Sequence, residues 1–485
     1  MTETKKKKVT KKTTNKTPDV KVTKKRNTVS KTSTSKEISA RLDALEVIDN
    51  DEVMTDVFKT ETINIIKEEA EKIDKKEQNE ETHSNKKNAI ILAIMVFIIL
   101  LILIFFPHTV LWNIIVLLLM LGLLIFVHEF GHFIMGKKFG VHIYEFAIGM
   151  GPKVCSFRRK NDETIYSVHA LPLGGYNSMA GEDGIDGEMK LPKNKYLCNK
   201  PWWQQLIVLV MGVVMNFITA IILLIILGMM TGASDLSTTV GSVVKDSPAQ
   251  LIGITSGDKI VEFNGHKVSN WDQMSVYSEY KTKDKVRTYT IKHQDGTEQT
   301  YQITPAKFAV FGDKTVRIKD DYTVDDIARD YNVDIKDITE TELVGINQSE
   351  EKSYKFIDVV KYAIKKFIIL FNTIWMILGA LFTGKIGLTA LSGPVGMYSV
   401  VGKAASYGIA NLVYLTAYLS INLGVVNIFP FPAFDGGRVV FVLIEAITKK
   451  KINPKVEEIV NTIGFALLML LMLIVTGHDI FRLFK

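Results

Sequence analysis

Long uncharged stretches alternate with charged ones along this chain, and that pattern predicts a helical membrane protein. Residues 89–106 hold 18 successive uncharged residues, about 27 Å of helix, which is enough to cross the apolar part of a bilayer. After the break at Pro107 the apolar pattern resumes, and three more apolar runs follow later in the chain. The pattern therefore predicts about five spans, at 89–106, 109–133, 206–230, 407–429 and 457–476.

Residues 355–385 form one further apolar segment, which begins with charged residues at helical spacing. Such a segment either crosses the bilayer or lies along its surface as an amphipathic helix. Lysine and arginine favour the cytoplasmic side, and they are abundant before residue 89, in 137–205 and in 438–455. Five spans put all three segments in the cytoplasm, whereas a sixth at 366–384 moves the last one outside. The interpretation is therefore an interfacial helix at 355–385.

This topology predicts a multi-pass protein of the cell membrane with a cytoplasmic N-terminus. Residues 231–354 then lie outside, and their short β-type runs between turn signals predict a small β-rich domain. The predicted organisation is a tail at 1–88, an extra helix at 89–106, a first core part at 109–230, the β-rich domain at 231–310, an insert at 311–350, an interfacial helix and loop at 355–404, and a second core part at 405–485.

The charge of the N-terminal tail changes sign along its length. Residues 1–36 hold 13 Lys and Arg against 2 acids, and residues 37–87 hold 15 acids against 8 bases. The first block is too polar to bury a core and predicts disorder, whereas the second has a weak helical periodicity and could form a charged helix. A basic tail can bind nucleic acid, but beside a membrane span it more often contacts anionic lipid or sets topology, so the expected partner is the bilayer and not nucleic acid. The two cysteines exclude a disulfide framework and a cysteine-rich zinc site.

The motif HEFGH stands at the end of the second apolar run. On a helix, His128 and His132 are four residues apart and share one face, so both imidazoles can hold one Zn²⁺. Glu129 is then the natural general base for the attacking water. The alternative is a solvated helix end at the interface, where Gly131 and Gly136 merely permit close helix packing.

A catalytic zinc needs a third protein ligand, and the candidate is Asp435 in NIFPFPAFDGGRVV, residues 427–440. Asn427 ends an apolar run, and Pro430 and Pro432 stop the helix there. Non-helical backbone at membrane depth is tolerated where it is buried or lines a wet cavity. The alternative is a plain turn between helices in which Asp435 is the N-cap of the next one.

Together these motifs resemble the site-2 protease family of intramembrane zinc metalloproteases, in particular its RseP type. HEFGH lies in a first core span and N-x-x-P-x-P-x-x-D-G-G in a late one, as in the family. Further similar segments lie in the family's order and extend the resemblance over most of 109–476: FAIGMGPKV (146–154), HALPLGGYNSMAGE (169–182), KPWWQQLIVLVMGVVMNF (200–217) and LSGPVGM (391–397).

The resemblance implies roles for individual residues. His128, His132 and Asp435 match the zinc ligands, and Glu129 matches the residue that activates water. Asn427 matches the asparagine that holds substrate backbone.

Further substrate-binding residues follow from the same resemblance. Gly174, Gly175 and Tyr176 lie in a membrane-associated hairpin or loop that can pair with an extended substrate. Asn216 matches an asparagine of the second core span, which either contacts substrate or bonds two helices together. Phe434 replaces the family's usual leucine and keeps the position apolar.

The segment outside the membrane contains two weaker resemblances. Residues 241–271 are similar to a PDZ domain, which either binds a carboxyl terminus or acts as a size filter over the active site. Residues 321–338 resemble half of a LysM carbohydrate-binding module, and the alternative is a small helical insert. The resulting fold class is an α-helical integral membrane protein with a small extracytoplasmic β-rich, PDZ-like domain.

The function expected from the resemblance is regulated intramembrane proteolysis. The enzyme is a zinc endopeptidase that cleaves in or near single transmembrane helices of other proteins, such as an anti-sigma factor or remnant signal peptides. A membrane scaffold without catalysis is the second hypothesis, and the complete set of four polar site residues argues against it. A metal transporter is the third, and it needs more intramembrane carboxylates and histidines than the chain offers.

Overall fold

The computed structural model describes residue 90 and residues 93–107, 109–160, 162–182, 191–280, 286–312, 314–319, 321–349, 351–387 and 391–483. The predicted tail at 1–88 lies outside the described residues. The chain from Lys87 onward forms one unit, and the description below concerns that unit.

Helices dominate the described chain. In order they are α1 (Ala93–Phe105), α2 (Val110–Lys138), α3 (Trp202–Thr231), α4 (Pro248–Leu251), α5 (Trp271–Ser278), α6 (Val324–Tyr331), α7 (Phe356–Phe382), α8 (Pro394–Ser406), α9 (Ile409–Ile428), α10 (Asp435–Thr448) and α11 (Pro454–Leu483).

Five of the described helices, α2, α3, α7, α9 and α11, are long and apolar enough to cross a membrane. The number of candidate spans agrees with the sequence prediction. The set of segments differs, because α7 is included and the predicted span 89–106 is not. In the predicted span 89–106 the structure describes a shorter helix, α1, and residues 89, 91 and 92 lie outside the described residues. Helix α7 has the length and composition of a span, and its predicted interfacial placement stays a prediction.

Helix α3 is the centre around which α2, α7 and α9 pack. Small residues permit the closest approaches: a Cβ on Gly131 of α2 would lie 2.4 Å from the carbonyl oxygen of Met211 in α3. On another side, Gly424 of α9 faces the ring of Phe217. Farther along α3, Leu224 packs with residues of both α7 and α9. Small residues at such contacts are how helices in lipid gain van der Waals packing.

Strands β1 (Ile143–Arg158) and β2 (Ile165–Met179) fold into a small sheet beside α2. Residues 145–148 pair with residues 165–168 on one side and with residues 175–178 on the other. Residues 153–158 also pair with 165–169 and lie at one edge of the sheet, so residues 175–179 lie at the other edge. We call residues 175–179 the outer strand. Phe146 of this sheet packs against Phe126, Phe130 and Phe133 of α2.

The segment between α3 and α7 is rich in strands. The remaining strands are β3 (Ala233–Ser234), β4 (Val240–Val243), β5 (Lys259–Phe263), β6 (His266–Lys267), β7 (Arg287–Lys292), β8 (Glu298–Ile303), β9 (Ala306–Phe311), β10 (Lys314–Arg317), β11 (Thr339–Leu343), β12 (Ile346–Gln348) and β13 (Lys352–Ser353).

One four-stranded sheet, in the order β6-β5-β7-β8, carries the core of this β-rich domain. Phe263, Ile260 and Ile291 are completely buried there, and Met274 of α5 packs in the same cluster. β12 returns to pair with β4, so the last strand of the predicted insert at 311–350 belongs to this domain.

The insert has its own sheet, and its bounds differ from the predicted ones. Strands β10, β9 and β11 pair in that order, and Ile327 of α6 is buried against Ala309 and Phe311 of β9. The segment therefore begins at Ala306, five residues before the predicted boundary at 311. Thr323 and Asp326 form a capping box that starts α6, and this helix packs on the sheet that has β9 in the middle. The LysM-like resemblance of residues 321–338 stays a prediction.

Helix α7 contacts the β-rich domain as well as the long helices. Asp272 of α5 accepts hydrogen bonds from Nζ of Lys366, at 2.9 and 3.1 Å. Val276 of α5 packs with Ala380 of α7 and with Ile386. The opposite side of α7 packs on α3 and α9, so this helix lies between the domain and the helical core.

Candidate metal centre

Two helices from distant parts of the chain bring three polar side chains together. His128 and His132 point from α2, and Asp435 is the first residue of α10. Nε2 of His128 lies 2.9 Å from Oδ2 of Asp435 and 3.1 Å from Nε2 of His132. Nε2 of His132 lies 3.3 Å from the same carboxylate oxygen. Both histidines are 6 % exposed, so a polar triangle is buried among apolar helices.

The triangle has the dimensions of a zinc site. Zinc in proteins is bound tetrahedrally by nitrogen and oxygen ligands at roughly 2.0–2.1 Å, which places neighbouring ligand atoms about 3.3 Å apart. The three edges, 2.9, 3.1 and 3.3 Å, are close to that value. Two imidazoles and one carboxylate also form the donor set of a catalytic zinc, which leaves a fourth position for water or substrate.

Each histidine is held through its second ring nitrogen. Nδ1 of His132 lies 2.8 Å from the backbone oxygen of Val208 in α3, so this nitrogen carries the proton and Nε2 presents a lone pair. Nδ1 of His128 lies 3.1 Å from the side-chain amide of Asn216. Such contacts fix the orientation of metal-ligating rings.

Gly212 of α3 makes room for both rings. A Cβ at this position would lie 2.4 Å from Nε2 of His132 and 2.8 Å from Cε1 of His128. Both histidines therefore rest directly against the backbone of α3, and any side chain there displaces them.

The segment before α10 delivers Asp435 to this place. Helix α9 ends at Ile428, and Ala433 has φ 74°, a conformation that costs free energy in residues other than glycine. Gly436 and Gly437 lie so close to carbonyl oxygens of 428–431 that a Cβ would clash with them. The N-cap position belongs to Phe434, so Asp435 is not an N-cap, and its carboxylate turns to the histidines instead.

Glu129 lies beside the triangle in α2. It is within electrostatic reach of His128, His132 and Asp435, and also of Glu182. Glu182 follows β2 and forms an ion pair with Arg438 of α10. This ion pair ties the end of the β1–β2 sheet to the helix that carries Asp435.

The residues predicted to bind substrate lie in different places around the triangle. Asn427 is half-buried, and its Nδ2 lies 3.5 Å from Nε2 of His128, so it borders the triangle. Gly174 and Gly175 are buried at the beginning of the outer strand, where a Cβ on Gly174 would lie 2.6 Å from Ile125 of α2. These glycines bring the strand against α2 one turn before His128. Asn216 is different, because it is 0 % exposed and contacts His128 rather than an open surface.

Tyr176 of the outer strand points into a polar network of the sheet. Its hydroxyl group interacts with Glu145, which also pairs with Lys153. Burial, together with this carboxylate, raises the pKa of Tyr176 to about 12. The phenol is therefore a neutral donor at physiological pH, and its side chain organises the sheet while its backbone lies at the outer edge.

Sequence reasoning missed Gly212, the carbonyl of Val208 and the ion pair of Glu182 with Arg438. One signal was present: Gly212 and Asn216 are four residues apart in MGVVMN, so they share one face of α3. The other two contacts join segments of the chain that no local pattern relates.

The comparisons with known proteins decide the family. A model of peptidase family M50 matches residues 116–471, which contain both histidines and Asp435. The chain belongs to peptidase family M50, the site-2 proteases. The family is one of membrane-embedded zinc metalloproteases, and this chain is therefore a zinc-dependent peptidase of the membrane.

Relatives with assigned names agree. RasP of Bacillus licheniformis, a zinc metalloprotease, is 31 % identical over 449 residues, which cover 77 % of this chain and 99 % of RasP. RasP of Bacillus subtilis, named a regulator of sigma-W protease, is similar to the same extent. A protein of Clostridium acetobutylicum with a provisional zinc metalloprotease name is 35 % identical over 368 residues, 76 % of this chain and 97 % of that protein.

Proposed function

We propose that this M50 peptidase hydrolyses peptide bonds in or near the transmembrane segments of other membrane proteins. The observation that carries the proposal is the triangle of His128, His132 and Asp435, because both histidines lie in α2, a helix long enough to cross a bilayer, and the carboxylate of Asp435 meets them there. A hydrolytic centre at that depth reaches peptide bonds that soluble proteases do not.

The side chains of the site have separate roles in this reaction. His128, His132 and Asp435 hold the zinc ion, which when bound supplies a Lewis acid for the peptide carbonyl. Glu129 takes a proton from the attacking water and delivers it to the leaving amine. Asn427 presents its amide beside the triangle, where it donates to the backbone of the substrate.

The outer strand, residues 175–179, offers the substrate a place to extend. A transmembrane helix hides its peptide bonds inside its own hydrogen-bond ladder, so it must unwind before hydrolysis. A strand with an unpaired edge can take up the freed N–H and C=O groups by strand addition. The close packing of Gly174 on Ile125 supports this role, because it holds the strand beside the helix that carries the histidines.

The membrane orientation that we propose places the N-terminus in the cytoplasm and the β-rich domain outside. Nζ of Lys200 donates to the carbonyl of Phe139, and Nζ of Lys451 donates to the carbonyl of Cys198. The lysine-rich segments before α3 and after α10 therefore lie at one end of the helices, which supports a shared cytoplasmic side. The β-rich domain is then a PDZ-like module that binds a carboxyl terminus or limits the size of the substrates.

The substrates that we propose are membrane proteins with a single transmembrane helix. One relative is named a regulator of sigma-W protease, which favours an anti-sigma factor as the substrate class. Remnant signal peptides are the second class, because they are short apolar helices of the same kind.

The proposal is tested with the purified full chain and a model substrate that has one transmembrane helix. The parent protein should cleave it, and Glu129→Gln should lose cleavage by about 10²–10⁴-fold, the usual contribution of a general base, while its zinc content stays unchanged. Equal cleavage by both proteins would remove Glu129 from the mechanism. Absence of cleavage from the zinc-loaded parent on a panel of such substrates would favour a membrane scaffold.

A further inference from the structure

The side chain of Asn216 is buried at the rear of the metal centre with half of its amide unpaired. The residue is 0 % exposed in the middle of α3. Its amide nitrogen lies 3.1 Å from Nδ1 of His128, whereas its amide oxygen is buried and has no hydrogen-bond partner among the described residues. Leaving a buried polar atom without a hydrogen-bond partner costs stability, so its presence beside a metal ligand requires an explanation.

The explanation depends on which ring nitrogen of His128 carries the proton. A neutral imidazole carries one proton, and the nitrogen that ligates a metal must be the bare one. Nε2 is the atom that faces His132 and Asp435, so in the zinc-bound site the proton of His128 is on Nδ1. An N–H group at Nδ1 needs an acceptor, and the amide nitrogen of Asn216 is a donor.

A half-turn of the amide about its Cβ–Cγ bond exchanges the two atoms and resolves the conflict. The oxygen then accepts from Nδ1 of His128, and the nitrogen takes the place where the oxygen was. One atom of the amide group has no partner in either orientation. The choice between the two orientations is therefore set by the Nδ1 proton of His128, which needs an acceptor. His132 already shows the same arrangement, since its Nδ1 is 2.8 Å from a backbone carbonyl.

The backbone around Asn216 is fixed well enough for this task. Oγ of Ser420 in α9, itself 0 % exposed, donates to the backbone oxygen of Asn216 at 2.8 Å. The side chain therefore starts from a rigid position between two helices. The same burial removes it from any contact with substrate, which was one of the two roles expected from sequence.

We propose that Asn216 is a positioning residue for zinc, whose amide oxygen accepts the Nδ1 proton of His128 and so keeps Nε2 available to the metal. This inference rests on the proposed function of the site, and it adds an outer partner to the three ligands. Outer partners of metal-ligating histidines are commonly carboxylates or carbonyls, and the amide oxygen of Asn216 is of the second kind.

The test compares zinc affinity in the purified full chain, measured as zinc content against graded concentrations of a chelator. Asn216→Leu keeps the size of the side chain and removes both polar atoms, so zinc affinity should fall about 10–100-fold. Asn216→Asp retains an acceptor for the Nδ1 proton and should bind zinc at least as well as the parent. Asn422→Leu is the matched control, because Asn422 donates to the carbonyl of Tyr418 within α9, and it should leave zinc affinity close to that of the parent.

Several results would overturn this role. Parent-like zinc affinity in Asn216→Leu would do so, and so would equal losses in Asn216→Asp and Asn216→Leu when both zinc-free proteins unfold at the temperature of the zinc-free parent. If either variant fails to fold, Asn216→Ser and Asn216→Ala are compared instead, because the first has a side-chain oxygen and the second has none. A parent protein that binds no zinc, like His128→Ala, would instead overturn the proposed function itself.

Discussion

Nε2 of His128 and Oδ2 of Asp435 lie 2.9 Å apart, although 307 positions separate the two residues in the chain. Bringing them together requires α2, α3, α9 and the turn before α10 to be placed correctly at once. The site is therefore a product of the whole helical core, and its integrity can be tested from several directions.

Asp435→Asn should lower zinc affinity by at least tenfold while the fold persists. The amide keeps the size of the side chain, but it removes the negative charge that an oxygen ligand brings to zinc. Metal analysis against a chelator series measures the change. The matched control is Asp479→Asn, another buried carboxylate, which lies in α11 away from the histidines.

The control variant Asp479→Asn has an expected effect of its own, on stability. Asp479 accepts hydrogen bonds from the backbone N–H groups of Gly393 and Gly396, both at 2.8 Å, at the start of α8. Bonds to a charged acceptor contribute about 1.5–3 kcal/mol each, so Asp479→Asn should lower the unfolding temperature measurably while zinc affinity stays unchanged. Loss of zinc from Asp479→Asn alone would contradict the separation of the two carboxylates.

Gly212→Ala should impair the metal centre through a single methyl group. The added Cβ would lie 2.4 Å from Nε2 of His132, so the rings or the helix must move. Zinc affinity and cleavage should both fall about tenfold or more, because outer-shell changes of this kind cost 10–100-fold. Gly477→Ala is the control, since a Cβ there meets no described atom within 4 Å. Equal behaviour of the two variants would show that the rings tolerate the displacement.

Asp162 should make the stability of the protein depend on pH in the acid range. Partial burial opposes ionisation, but bonds from Lys137, from the backbone of Thr164 and from Tyr166 outweigh it and hold the pKa of Asp162 well below its ordinary 3.8. The carboxylate therefore stabilises the fold fully above its ordinary pKa, and this contribution is lost as the pH falls through the lower value of the folded state.

The measurement is the unfolding temperature of the parent and of Asp162→Asn between pH 7 and pH 3. The parent should be more stable by a constant margin down to about pH 5, and the margin should shrink below pH 4. A margin that grows on acidification would contradict the expected sign.

Lys366 and Asp272 should couple the β-rich domain to α7. The two side chains are 12 % and 21 % exposed and lie 2.9 Å apart. Lys366→Glu should speed hydrogen exchange in α5, because two carboxylates then face each other, and Asp272→Lys in the same chain should restore it. Independent effects of the two substitutions, with no restoration in the double variant, would show that the pair does not hold the domain in place.

Much of the helical core was predictable from the sequence, and for a simple reason. A span must hold about 20 apolar residues, so the run before HEFGH predicted a helix that the structure extends from Val110 to Lys138. The pairing of that motif with Asp435 was also expected, because two polar motifs in apolar surroundings have few other uses.

Contacts that depend on exact packing were not predictable. The role of Asn216 was left open between a substrate contact and a bond between two helices; the structure shows a contact from α3 to His128 of α2, which is of the second kind, and no local pattern indicated that partner. The boundary of the insert was placed at residue 311, whereas β9 (Ala306–Phe311) pairs with β10 and β11 of the insert. Long-range pairing of this kind has no local signature in the chain.

The close approach of Gly131 and Gly212 has a consequence for the diversity of this enzyme. Where the two histidine rings rest on Gly212, the wall of the metal centre is main chain, and main chain has the same chemistry whatever the sequence is. No side chain can be added at that position without moving the histidines. Changes in the range of accepted peptides are therefore expected in the side chains of residues 175–179 and of the segment between Asn427 and Asp435.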